Sequence, residues 1–212
     1  MKIVLWGATG LTGREVLYQA LNGGHEVKAV ARNPGLIEAE HANLSVVRGD
    51  ALNPQSVQEA VAGGEVVIST LGSGASVAQA RKPTTLYSEG FANIVAAMHK
   101  HDIRRFIALT SVGTVDDPSE PFFHRRIIRP LIRATYDDIR KAENYLAGCD
   151  DLDWVVIRPL RLLNISRTGK YRTAVDILPP DGVGISRADV AEFILKQVCT
   201  DEHLRSFITI AY

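Results

Sequence analysis

The stretch Ile3-Val4-Leu5-Trp6-Gly7-Ala8-Thr9-Gly10-Leu11-Thr12-Gly13 decides the fold. Four apolar residues read as a buried strand, and a helical pattern then runs from Leu11 to Asn22 until Gly23-Gly24 stops it. Gly7, Gly10 and Gly13 stand between strand and helix as a G-x-x-G-x-x-G pattern. Glycine at such points permits a tight turn, close approach of backbone to a pyrophosphate, and close packing of helix on sheet. The helix N-terminus behind the turn then offers free N–H groups and a partial positive charge to an anion. In this strand–turn–helix setting the pattern predicts dinucleotide binding by Gly7, Thr9, Gly10, Leu11, Thr12 and Gly13. The alternative is a glycine turn that only packs a helix on a sheet.

Outward from that turn, short β-branched runs alternate with helical patterns. Glu26–Ala31, Leu44–Val47, Val66–Thr70, Arg105–Thr110, Trp154–Ile157 and Phe207–Ile210 read as further strands. Most are continuous apolar runs, as expected of a parallel sheet covered on both faces. Helices are expected over Pro54–Ala62, Thr84–His101, from Phe122 to Arg133 and on to Leu146, and over Val190–Val198. Ser186-Arg187-Ala188-Asp189 has the form of a capping box before the last of these, with Asp in place of Glu. The βαβα alternation predicts a doubly wound α/β Rossmann fold with a mostly parallel sheet, one domain over residues 1–212.

Composition narrows the function classes. Lys plus Arg equals Asp plus Glu at 24 each, which gives no electrostatic case for nucleic acid or an anionic membrane. No apolar run approaches the roughly 18 residues of a membrane span. Cys149 and Cys199 show no pairing or metal-ligand spacing, so both are expected as small core residues in a reducing cytoplasm, and no metal site is expected. A monomer acting on a small-molecule acceptor is expected, with a dimer as the alternative.

The end of the second strand bears on cofactor choice. An NAD-selective site commonly places a carboxylate there for the ribose 2′-OH, whereas this chain reads Val30-Ala31-Arg32-Asn33. Arg32 suits a 2′-phosphate, which favours NADP over NAD; the other reading is a solvated surface arginine. Asp50 and Ala51 follow the third strand, and Asp50 is either an adenine contact or a helix cap before Pro54. Leu71 and Gly72 follow the fourth strand, beside the adenine ribose and pyrophosphate. Loops 72–83 and 112–135, with the region after 158, are the expected walls of a substrate pocket.

These motifs resemble the atypical short-chain dehydrogenases with NmrA-like, NAD(P)H-binding domains, and within them the biliverdin-IXβ reductase/flavin reductase type. The resemblance is carried by the Gly7–Gly13 turn, Arg32, Gly49-Asp50, Leu71-Gly72, Pro83-Thr84-Thr85, Ser88-Glu89-Gly90, Asn93–Met98 and Thr110-Ser111. It returns more weakly at Leu152-Asp153-Trp154, Arg158-Pro159 and Ser186–Glu192. It implies a cofactor lying across the C-terminal edge of the sheet, with Thr110, Ser111 and Pro159 toward the nicotinamide. It also implies either reduction of flavin-, quinone- or tetrapyrrole-like compounds or a role in sensing the cofactor. Leu160 stands where the flavin reductases carry histidine, so tetrapyrrole specificity does not carry over.

Ser111 is the polar candidate at the reacting end, or else a strand-end cap. Tyr136-Asp137-Asp138-Ile139-Arg140 keeps the Tyr-x-x-x-Lys spacing with Arg for Lys, so Tyr136 is either a proton donor or a cover for its helix. Arginine is a poor relay partner because it stays protonated. The two acids between are expected to point elsewhere. The basic run His124–Arg133 is expected as a solvated amphipathic helix, and Arg81-Lys82 either meets phosphate or is solvated.

Overall fold

The computed structural model describes residues 1–72, 83–114 and 133–212. The expectations for Arg81-Lys82 and for residues 124–132 lie outside these. An eight-stranded sheet has the order β3-β2-β1-β4-β5-β6-β10-β8. Its strands are β1 (Lys2–Trp6), β2 (Glu26–Ala31), β3 (Leu44–Arg48), β4 (Val66–Ser69), β5 (Arg105–Leu109), β6 (Asp153–Pro159), β8 (Arg172–Val175) and β10 (Ser206–Ala211). All neighbours pair in parallel except β8, which runs antiparallel to β10. β7 (Leu162–Leu163) and β9 (Ile185–Ser186) form a separate two-residue pair. The chain leaves β1 toward β2 on one side and returns to β4 on the other, and that reversal opens a crevice at the strands' C-terminal ends.

Alternation along β1 divides the interior in two. Ile3 and Leu5 face α1 (Leu11–Asn22) and α5 (Arg187–Lys196). Val4 and Trp6 face α2 (Pro54–Val61), α3 (Ser88–Lys100) and α4 (Arg133–Ala147). Both faces of the central strands are therefore buried, which is why they read as continuous apolar runs. β7, β8 and β9 escape that reading because they are short, and β8 is mostly exposed and carries no apolar run.

Two boundaries correct the sequence reading. α3 starts at Ser88 rather than Thr84: the Thr84 hydroxyl accepts from Leu86 N at 3.1 Å, holding a turn, and Asp138 of α4 accepts from Tyr87 N at 2.8 Å. α5 starts at Arg187, with Ser186 as the cap accepting from Asp189 N at 2.9 Å. The expected box is only half present, because Asp189 does not reach back to Ser186 N. That amide donates instead to the Tyr212 hydroxyl at 3.1 Å. The fully buried Asp189 gathers Thr168 N at 3.0 Å, Gly169 N at 2.8 Å, Ser186 Oγ at 2.8 Å and the Tyr212 hydroxyl. Cys149 is buried as expected, but Cys199 is exposed, because it falls in the turn beyond α5 beside the Met1 sulfur.

Candidate functional site

The glycine turn has the geometry its spacing predicts. Gly7 has φ +85°, and a Cβ there would sit 2.5 Å from the Thr70 carbonyl oxygen. A Cβ on Gly13 would lie 2.1 Å from the Gly7 carbonyl oxygen. Both glycines are thus required for β1, β4 and α1 to meet this closely. Thr70 locks the joint by donating its hydroxyl to the Trp6 carbonyl at 2.9 Å. Gly10 caps α1 without a side chain, and no acid occupies the first turn, so the helix's leading N–H groups and positive end face outward.

An open cleft of about 650 Å³ runs over this turn. Gly7, Thr9, Gly10, Leu11, Thr12, Gly13, Arg32, Asp50, Ala51, Leu71, Gly72 and Thr110 all line it. Among the described residues the exposed Arg32 guanidinium meets no hydrogen-bond or ion-pair partner. Asp50 is not the cap of α2; Asn53 is, accepting from Ser56 N at 2.9 Å. Asp50 instead takes Leu52 N on Oδ1 at 3.1 Å and stays exposed at the cleft's rim.

Beyond β5 the polar groups behave differently. The Thr110 hydroxyl donates to Glu143 Oε1 at 2.7 Å, so it is committed to α4 while the residue still borders the cleft. Glu143 is buried and held bidentately by Arg158, Nε at 3.0 Å and Nη2 at 2.8 Å. That guanidinium also lies 4.1 Å above the Phe207 ring and 3.5 Å from Asp176. The sequence reading missed this cluster. Its traces were a lone arginine closing the apolar run of β6, and a glutamate on the same helical stripe as Ile139, Ala142 and Leu146.

Ser111, Tyr136 and Pro159 do not line the cleft. Ser111 opens a tight turn, where its hydroxyl accepts from Gly113 N at 3.3 Å and its carbonyl accepts from the Thr114 hydroxyl at 3.0 Å. Tyr136 packs on that turn, since a Cβ at Gly113 would fall 2.4 Å from the tyrosine hydroxyl. The fold therefore brings Ser111 and Tyr136 to one place. Asp137 and Asp138 are not idle. Asp137 pairs with Arg140 and with Arg133, each at 3.5 Å, and Asp138 closes the start of α3. Pro159 is buried in β6 opposite Ile210. The region after 158, expected as a wall, contributes Leu162 beyond β6 and Arg187 at the head of α5.

Residues 7–201 match the NAD(P)H-binding family, and the chain belongs to it. It is 30% identical over 121 residues to a 3-beta-hydroxysteroid dehydrogenase of Mycolicibacterium neoaurum, covering 54% of this chain and 33% of that protein. It is 27% identical to the photosystem II assembly factor Ycf39 of Synechocystis, over 97% of this chain and 60% of that protein. The chain thus spans between a third and three-fifths of the length of these relatives.

Among solved structures, a candidate epimerase of Bacteroides thetaiotaomicron shares 29% identity at TM-score 0.79, over 100% of this chain and 96% of that one. A candidate NADH-flavin reductase of Streptococcus pneumoniae shares 19% at TM-score 0.78, over 100% and 99%. A short-chain dehydrogenase/reductase of Veillonella parvula, solved with NADP, shares 21% at TM-score 0.75, over 100% and 94%. The last two establish the Rossmann-like fold, and the family makes the chain an NAD(P)H-binding protein. Among the described residues no helix is long and apolar enough to cross a membrane.

Proposed function

We propose that the chain is an NADPH-dependent oxidoreductase that passes hydride to a flavin- or quinone-like acceptor. The observation that carries this reading is the contrast in how the cleft's polar groups are used. The turn's N–H groups and Arg32 are open, whereas the carboxylates beyond β5 are committed, Glu143 to Arg158 and Asp138 to α3. Such a site binds and orients, and it offers little dedicated acid–base machinery. When bound, NADPH supplies the hydride, and flavins and quinones ask little proton transfer of the protein.

In this reading α1's N-terminus holds pyrophosphate, and Arg32 takes the 2′-phosphate with β2 ending free of carboxylates. Asp50 and Ala51 border the adenine, Leu71 and Gly72 the adjoining ribose. Leu109 and Thr110 form the border toward the acceptor. Ser111 and Tyr136 stand behind that border as an orienting pair on one turn. The likeness to a candidate NADH-flavin reductase agrees with the acceptor class, and the NADP-bound neighbour with the cofactor. The two free thiols suit a reducing compartment such as the cytoplasm.

Calorimetric titration with NADPH and NADH, followed by FMN and a simple quinone in the same cell, tests the reading. NADPH-selective binding with rapid loss of nicotinamide absorbance is the expected result. Tight binding without oxidation by any acceptor overturns it.

A second reading, an NADP(H)-sensing binding protein without turnover, is favoured by Arg140 being tied to Asp137 rather than available as a relay. A photosystem II assembly factor among the relatives points the same way. Capture of protein partners that does not change between NADP⁺ and NADPH would exclude it.

A further inference from the structure

Arg187 lines the same cleft as Arg32 but comes from the elements that follow β6, through Leu162 and the short β7–β9 pair. Its surroundings are unusual for a partly buried cation. Its Nη1 donates to the neutral Asn164 Oδ1 at 2.6 Å, and among the described residues it meets no carboxylate. Asp189, the acid nearest in sequence, is fully occupied by Thr168, Gly169, Ser186 and Tyr212. Arg187 also occupies the first position of α5, where the helix dipole opposes a positive charge rather than compensating it. Partial burial adds to this and lowers its pKa. A guanidinium held at a cost, aimed by an amide, and met by no carboxylate of the described residues in a ligand cleft is matched to an incoming anion.

We propose that Arg187 anchors an anionic group of the electron acceptor, a phosphate, carboxylate or sulfonate, on the wall of the cleft supplied by the elements after β6. The cofactor's own phosphates are already provided for, the pyrophosphate by α1's open N-terminus and the 2′-phosphate by Arg32. Arg187 arrives instead from the elements that follow β6, the strand paired with β5, whose end carries Leu109 and Thr110. Asn164 fixes one edge of the guanidinium and leaves the other for a bidentate contact. The inference deepens the reductase reading and rests on it for the identity of the ligand as acceptor.

Matched pairs that differ only in charge test it. Quenching of flavin fluorescence reports binding of FMN and of riboflavin to the NADP⁺ complex. Calorimetry does the same for menadione sulfonate and menadione. Wild-type protein is expected to prefer the charged partner by about tenfold or more, a charge-assisted hydrogen-bonded pair. Arg187→Gln abolishes that preference, Arg187→Lys keeps part of it, NADP⁺ affinity stays unchanged in both, and the melting temperature falls in neither. No preference in either pair, or a preference that survives Arg187→Gln, overturns the proposal. Weaker NADP⁺ binding with the charged-over-neutral preference intact also overturns it and assigns Arg187 to the cofactor. NADPH oxidation is followed separately, so a charge preference without turnover would fell the reductase reading and leave the anion subsite standing.

Discussion

The two ends of the sheet use polar groups in opposite ways. Around β1, β2 and β4 the cleft keeps them open: α1's leading N–H groups, the Arg32 guanidinium and the exposed Asp50 carboxylate. Around β5, β6 and β10 they are closed on one another, Thr110 to Glu143 to Arg158 on one face and Asp189 with its donors on the other. A buried polar group costs stability unless it is paired, so the paired set is architecture. The open set remains able to take a ligand. Arg187 stands out because it lies in the closed half and is treated as the open half treats its charges.

The largest effect is expected where the turn has no slack. Gly13→Ala drives a Cβ into the Gly7 carbonyl, and calorimetry and melting should show NADPH binding lost and about 3 kcal/mol or more of stability gone. Normal binding would mean the turn is not the cofactor seat. Next is the closed half. Glu143→Gln takes the bidentate carboxylate from the part-buried Arg158, leaving it only the exposed Asp176 at 3.5 Å, and should cost about 3 kcal/mol in urea denaturation. Combining it with Arg158→Met should restore much of that loss, and failure to do so would mean the pair acts through more than charge. In the open half, Arg32→Gln should leave melting unchanged and weaken NADPH about ten- to hundredfold with NADH unaffected, as measured by titration.

Asp189 gives a smaller, pH-dependent signature. Burial alone would raise its pKa from the ordinary 3.8, but hydrogen bonds from Tyr212, Gly169, Thr168 and Ser186 outweigh burial and bring it to about 2. A depressed carboxyl contributes stability that is full above its unfolded pKa and is lost as pH falls through the folded value. Wild-type protein should therefore lose roughly 2 kcal/mol between pH 3.8 and 2 that Asp189→Asn, already weaker at neutral pH, does not lose. Denaturation midpoints across that range measure the difference. Smallest is Tyr136→Phe, expected to change NADPH oxidation by no more than a few-fold. A loss of about 10²-fold or more would restore general acid catalysis and favour a carbonyl substrate.

Legibility followed the same division. Gly7, Gly10, Gly13 and Arg32 were readable because the features they serve are local: a turn, a helix start and a strand end, each within a few residues of the next. The start of α3 was not, since the acceptor of its first N–H groups, Asp138, is about fifty residues away on another helix. Glu143 and Arg158 left only a charge on an apolar stripe and a charge at a strand's end, and neither trace names its partner. The Ser186–Asp189 motif was right about the cap and silent about the loop that Asp189 holds.

By itself, then, the sequence determined the βαβα order, the parallel sheet and the glycine turn, because period, turn chemistry and capping are properties of neighbouring residues. Only the tertiary structure decided which charges are spent on each other and which are left for a ligand. That choice depends on whether a counter-charge from a distant element comes within hydrogen-bond reach. Glu143 reaches Arg158, while among the described residues no carboxylate reaches Arg187.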